Sequence, residues 1–238
     1  MQRLDKFLSD AGVASRSELR AMIRAGRVSV NGCTVNAPET KIDEMAAVSV
    51  DGTPIGCKKT VLLILHKPAG YVTSTDDPRD RTVMELLPAS YRGLVPVGRL
   101  DKDTEGLLLF TNDGALAHRL ISPRCGIEKT YYAEHEGTVD AEDIRVFAEG
   151  CVLRDGTRCL PAKLEPLADG KSLVRVREGK YHQVRRMLAS RGKPVRYLRR
   201  IAEGGIDLGE LPVGMTREAT EIEIKRLETV EFDEEKRK

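Results

Sequence analysis

The segment that most restricts the fold of this chain is Gly98-Arg99-Leu100-Asp101-Lys102-Asp103-Thr104-Glu105-Gly106-Leu107-Leu108-Leu109-Phe110-Thr111-Asn112-Asp113-Gly114. It is a polar, glycine-bounded loop that feeds directly into an apolar run ending on Asn-Asp-Gly. Such a run between turn signals reads as a buried strand, and a loop at the edge of a rigid sheet is a usual place for reactive side chains. Further strand-like runs lie at 61–65, 129–134 and 173–176, with helical patterns at 114–121, 141–149 and 181–191. Strands dominate and helices do not alternate regularly with them. Residues 59–230 are therefore expected to form one α+β domain, a mainly antiparallel mixed sheet flanked by helices.

Residues 1–58 read as a separate small unit. Leu4, Phe7, Leu8 and Ala11 recur at helical spacing until Gly12. Ser15-Arg16-Ser17-Glu18 is a capping box opening a second helix with Leu19, Met22 and Ile23 on its apolar face. Two alternating runs then flank Asn31-Gly32, a strong hairpin signal, and Val48 and Val50 supply a third strand. On the second helix Arg16, Arg20 and Arg24 fall at steps of four, followed by Arg27, and no acid lies four residues from any of them. The stripe is either a solvated face or a set of guanidinium forks for phosphates.

Net charge is only +2, but its distribution is uneven. Ten Lys/Arg against one acid lie between Arg175 and Arg200, and eleven acids against three bases lie between Ile201 and Glu235. The basic block is a polyanion site or a solvated face. The five cysteines are odd in number, scattered and without a C-x-x-C pair, which points to reduced thiols in the cytoplasm. No apolar run reaches the ~18 residues of a membrane span, and the first residues lack a secretion-signal core. The four histidines are far apart, with no zinc-deaminase pattern, phosphate-binding P-loop or nucleophile elbow, so no metal site is expected. The carboxylates Asp101, Asp103 and Glu105 could form an acid/base pair, a cation site or a solvated loop. The charged tail, 231–238, is expected to be disordered.

The order helix, arginine-striped helix, V-x-V-N-G hairpin resembles the S4 RNA-binding domain, from Arg3-Leu4-Asp5-Lys6-Phe7-Leu8 to Arg27-Val28-Ser29-Val30-Asn31-Gly32. The 98–114 segment resembles the G-R-L-D motif of pseudouridine synthases of the RsuA-like family. Three further segments follow that family's order: His66-Lys67-Pro68-Ala69-Gly70, Glu128-Lys129-Thr130-Tyr131 and Glu178-Gly179-Lys180-Tyr181-His182-Gln183-Val184-Arg185-Arg186-Met187. Segments 74–78 and 121–124 look most like the branch acting on small-subunit (16S) ribosomal RNA, with the large-subunit branch as competitor. One departure is Glu203, an acid where an apolar residue is expected.

The resemblance implies isomerisation of uridine to pseudouridine in ribosomal RNA, with no cofactor and by a monomer. It implies Asp101 as the catalytic carboxylate, Tyr131 stacked on the uracil, and Arg185 paired with Asp101. It further implies an RNA-binding set of Arg3, Lys6, Arg16, Arg20, Arg24, Arg27, Arg99, Lys129, Lys180, His182, Gln183 and Arg186. Two other readings compete. A non-catalytic RNA-binding or ribosome-assembly protein would explain the S4 unit and basic block but not Asp101 in its motif. A glycosidase would need two carboxylates across a sugar and would leave the arginines without a role.

Overall fold

The computed structural model describes residues 1–43, 46–56 and 60–229. The expected boundary at 58/59 and the tail 231–238 lie outside them. The chain divides into two compact units, Met1–Thr60 and a larger one starting at Val61.

The first unit contains β1 (Gln2–Arg3), α1 (Leu4–Asp10), α2 (Arg16–Arg24), β2 (Val28–Val30), β3 (Cys33–Thr34), β4 (Lys41–Ile42), β5 (Val48–Val50) and β6 (Thr53–Ile55). Both halves of the Ser15–Glu18 capping box are made, which satisfies backbone donors left over at the start of α2. Leu19 and Ile23 are thereby turned onto Leu4, Phe7, Leu8, Val28 and Val48 in one core. Asn31 and Gly32 both take positive φ, 50° and 80°, the geometry that lets a two-residue turn match strand twist. The strand order is β3-β2-β5-β6.

The second unit contains β7 (Leu62–Lys67), β8 (Val95–Val97), β9 (Glu105–Thr111), α3 (Gly114–Ile121), β10 (Lys129–His135) and α4 (Ala141–Glu149). It continues with β11 (Lys163–Ala168), β12 (Lys171–Val176), α5 (Gln183–Ser190), β13 (Val195–Glu203), β14 (Ile206–Asp207), β15 (Thr216–Glu218) and α6 (Glu221–Thr229). The main sheet runs β11-β12-β10-β13-β9-β7-β15, and of its pairings only β9–β13 is parallel. At that junction Gly106 (φ 108°) faces Arg200, whose carbonyl oxygen would lie 2.1 Å from any added Cβ. Only glycine lets the 98–104 loop enter the sheet here. One core packs α4 and α5 on the β10–β13 half, and a second packs α3 and α6 on the β7–β9 half.

Strand β13 begins inside the basic block, whose side chains are met by acids from several elements. Arg175 pairs with Glu165 (2.8 Å), Arg177 with Glu128 (3.6 Å), Lys180 with Glu178, and Arg186 with Asp155. Arg191 and Lys193 share Asp143, Arg196 meets Glu136, Arg185 meets Asp103, and Arg200 meets Glu203. Only Arg199 of the ten has no ion pair among the described residues, and its guanidinium lies over the Tyr132 ring. Most of these acids lie outside the block, so the linear charge count concealed them.

Asp143 is the most enclosed of these partners. Burial alone would raise its carboxyl, but Lys193, the Asp140 N–H and Arg191 overcome this and hold it at about 2. A folded-state value below the ordinary 3.8 stabilises the fold fully above that value, and the gain is lost as pH falls toward 2. Asp143→Asn is expected to cost about 2 kcal/mol at neutral pH. In urea melts its deficit against the parent should shrink steadily as the pH is lowered below about 4; a deficit independent of pH would mean that charge is not the cause.

Candidate active site

The loop 98–104 is shaped from beneath by Lys67 at the end of β7. This lysine is fully buried, and its Nζ donates among the carbonyl oxygens of Thr104 (2.8 Å), Asp101 (3.0 Å), Pro68 (3.0 Å) and Lys102 (3.3 Å). Desolvation lowers its pKa to about 8, against the pull of the Asp101, Asp103 and Glu105 carboxylates. Thr73 fixes the other side, its Oγ1 bonding both the N–H and the C=O of Leu100. In the sequence Lys67 reads only as part of an opening strand and turn; the available signal was a lysine that follows the apolar run 61–65 and His66.

The three loop carboxylates have separate surroundings, which removes the shared cation site as a reading. Asp103 is bound by Arg185 at 3.0 Å. Glu105 accepts from the Tyr197 hydroxyl at 2.7 Å. Asp101 lines a cavity of about 430 Å³ with Arg99, Tyr131, Tyr181, His182 and Leu198. The direct Arg185–Asp101 pair expected from the sequence is not formed. Arg185 also donates to the Asp103 and Val195 carbonyls, and the His182 imidazole places Nε2 3.5 Å from the Asp101 carboxylate. Burial raises the Asp101 pKa, while His182, Arg185 and Lys67 pull it down and Asp103 adds to the rise.

Tyr131 enters the cavity from β10, half-buried and in register with Arg200 on β13. Burial raises its phenol above the ordinary value, with Arg200 opposing, so the ring is neutral near pH 7. Behind it, Arg200 (2% exposed) donates from Nε to the Leu107 carbonyl and contacts Glu203 at 3.1 Å. Lys129 lies 3.6 Å from the same carboxylate. Glu203, unexpected as an acid, is thus the buried counter-ion of two cations.

The 178–187 motif forms a clamped turn. Gln183 (5% exposed) accepts from the Lys180 N–H and donates to the Glu178 carboxylate, which also takes the Leu160 N–H. Gln183 and the Lys180 N–H therefore hold the turn, and both residues also line the Asp101 cavity. His182 opens α5 with φ at 48°, a conformation rare outside glycine.

The sequence model of the family described as RNA pseudouridylate synthase matches residues 61–190, and that of the S4 domain matches residues 2–55. The chain belongs to the RNA pseudouridylate synthase family. An uncharacterized RNA pseudouridine synthase of Bacillus subtilis, YtzG, is 39% identical over 94% of this chain and 98% of that protein. The ribosomal large subunit pseudouridine synthase B of Bacillus subtilis is 36% identical over 95% of this chain and 96% of that protein. A crystal structure of a pseudouridylate synthase, 35% identical, superposes with a TM-score of 0.69 and covers 95% of this chain and all of that one.

This pseudouridine synthase keeps fewer free cations than its sequence suggests. Arg3 and Arg20 both pair with Asp5, Lys6 pairs with Asp10, and Arg27 with Asp51. The acid that meets Arg20 comes from α1, so spacing along α2 could not reveal it. Lys129 and Arg186 are occupied by Glu203 and Asp155. Of the expected RNA-binding set, Arg16, Arg24 and Arg99 are exposed and without an ion pair among the described residues.

Proposed function

We propose that this pseudouridine synthase modifies a uridine of 16S ribosomal RNA in the cytoplasm during small-subunit assembly. The observation that carries the chemistry is that Asp101 alone of the three loop carboxylates opens into the cavity shared with Tyr131 and Leu198. Pseudouridine formation breaks the bond between ribose C1′ and uracil N1, turns the base and joins C1′ to C5. The C5 proton leaves and N1 gains one, so the products balance without redox or an external group. Asp101 acts at the ribose, as nucleophile on C1′ or as base for a sugar proton; either role needs its ionised form. His182, Arg185 and Lys67 favour that form against the opposing effect of burial. Tyr131 and Leu198 offer ring and aliphatic surfaces for the uracil, which must first be extruded from folded RNA. Of the expected RNA-binding set, Arg99 in this unit and Arg16 and Arg24 in the first are exposed and suited to phosphates.

Two segments support the choice of subunit. Residues 74–78 continue directly from Val72 and Thr73, which line the cavity, and Ile121 lies against the Gly98 side of the same loop. Both segments resemble the small-subunit branch and both flank the loop bearing Asp101. A second reading, 23S RNA, is favoured by the similarity to the large-subunit enzyme of Bacillus subtilis. Mapping pseudouridine in ribosomal RNA from cells lacking the protein decides between them. One site should be missing from 16S RNA and none from 23S RNA, and the purified protein should restore it on assembly intermediates better than on a short oligonucleotide. A site missing only from 23S RNA would transfer the assignment, and no missing site would remove ribosomal RNA as the substrate.

A further inference from the structure

We propose that Tyr181, stacked on His182 at the mouth of the Asp101 cavity, is a platform for an unpaired RNA base flanking the target uridine. The inference rests on Asp101 marking the reaction site. Tyr181 is 75% exposed and is the one exposed aromatic side chain among the described residues. A large ring left in water costs hydrophobic free energy unless a partner covers it. This ring is also pre-positioned. It lies on the His182 imidazole with centroids 3.9 Å apart and planes 16° from parallel, so one face is fixed and the other is open.

The backbone beneath is held with similar care. His182 is kept at φ 48° by the buried Glu178–Gln183 clamp, and Arg186 donates to the Tyr181 carbonyl. The same His182 places Nε2 3.5 Å from the Asp101 carboxylate, so the platform is separated from the reacting group by one imidazole. Extruding a uridine strips its neighbour of a stacking partner. A rigid aromatic face at this position replaces that lost stacking, and it accepts any base because every base has a π-face. Arg99, unpaired on the same cavity, is suited to the adjoining phosphate.

The test uses the full-length protein and the ribosomal transcript that it modifies, with 2-aminopurine placed in turn at the nucleotide on either side of the target. Under single turnover, Tyr181→Ala should raise the half-saturating RNA concentration roughly five- to a hundredfold, with the plateau rate within a few-fold of the parent. Tyr181→Phe and Tyr181→Trp should behave like the parent. One of the two probes should be quenched on binding the parent and not on binding Tyr181→Ala. Equal quenching by both proteins, or an unchanged half-saturation point, would overturn the platform. A fallen plateau rate at unchanged half-saturation would do so too, by placing Tyr181 on the target base itself. Repeating the quenching with Asp101→Asn separates the two readings. Quenching that persists there reports the platform whether or not Asp101 is the reacting group.

Discussion

Asp101→Asn is expected to abolish uridine isomerisation, by roughly a thousandfold or more, while RNA affinity stays within a few-fold. The amide matches the carboxylate in shape, so the cavity and the carbonyls held by Lys67 should survive the change. It cannot act as a nucleophile or a base, and both roles available to Asp101 require that ability. Affinity should hold because a carboxylate facing an RNA backbone makes no favourable contact with phosphate. The other loop acids serve as controls. Glu105→Gln keeps an oxygen for the Tyr197 hydroxyl, and Asp103→Asn loosens Arg185 without touching the cavity carboxylate, so both should be milder. Because burial raises the Asp101 pKa above the ordinary aspartate value, the acid-side fall in activity should come at a higher pH than an unperturbed aspartate would give. Release of tritium from C5-labelled uridine in RNA measures all three variants. Near-normal turnover by Asp101→Asn would mean that this carboxylate is not the reacting group.

Glu203→Met is expected to give the largest loss of stability. The substitution keeps approximate volume and supplies the apolar residue that the sequence pattern anticipates at this position. It also leaves Arg200, 2% exposed, and Lys129, whose side chain is 12% exposed, without their shared counter-ion. Removing one partner of a buried pair costs about 3–5 kcal/mol, because the remaining charge has lost its water as well as its partner. For a unit of this size that lowers the melting temperature by roughly 10 °C. The buried pair itself is not evidence of net stabilisation, since its desolvation cost can match its attraction. The double variant Arg200→Met/Glu203→Met should therefore melt above Glu203→Met alone, although it loses the bond to the Leu107 carbonyl. Thermal melts of the two variants check this. Equal melting of Glu203→Met and the parent would show that solvent or neighbouring groups already compensate Arg200.

Much of the fold was legible in the residues because it is decided by neighbours in the chain. The Ser15–Glu18 box sets the start of α2, Asn31-Gly32 sets its hairpin turn, and helices α3 and α4 occupy the spans read from their periodicity. The apolar run after Gly106 became the centre of β9. Asp101 and Tyr131 were singled out through resemblance alone, and no spacing along the chain could have stated that they share a cavity. Strand β13 was hidden because Arg196, Arg199, Arg200 and Glu203 look like surface charge when read in line.

Local conformations were therefore readable from the residues alone, since φ/ψ preference, capping and hydrophobic period act over a few residues. The pairing of charges came from packing in space. Packing gave Arg20 to Asp5, Arg185 to Asp103 rather than Asp101, Glu203 to Arg200 and Lys129, and it left Asp101 open with His182 beside it. Coulomb attraction depends on distance in space and on the water excluded between the partners. Both quantities are set by how the strands pair and how the turns are clamped, and neither is written in the order of the residues.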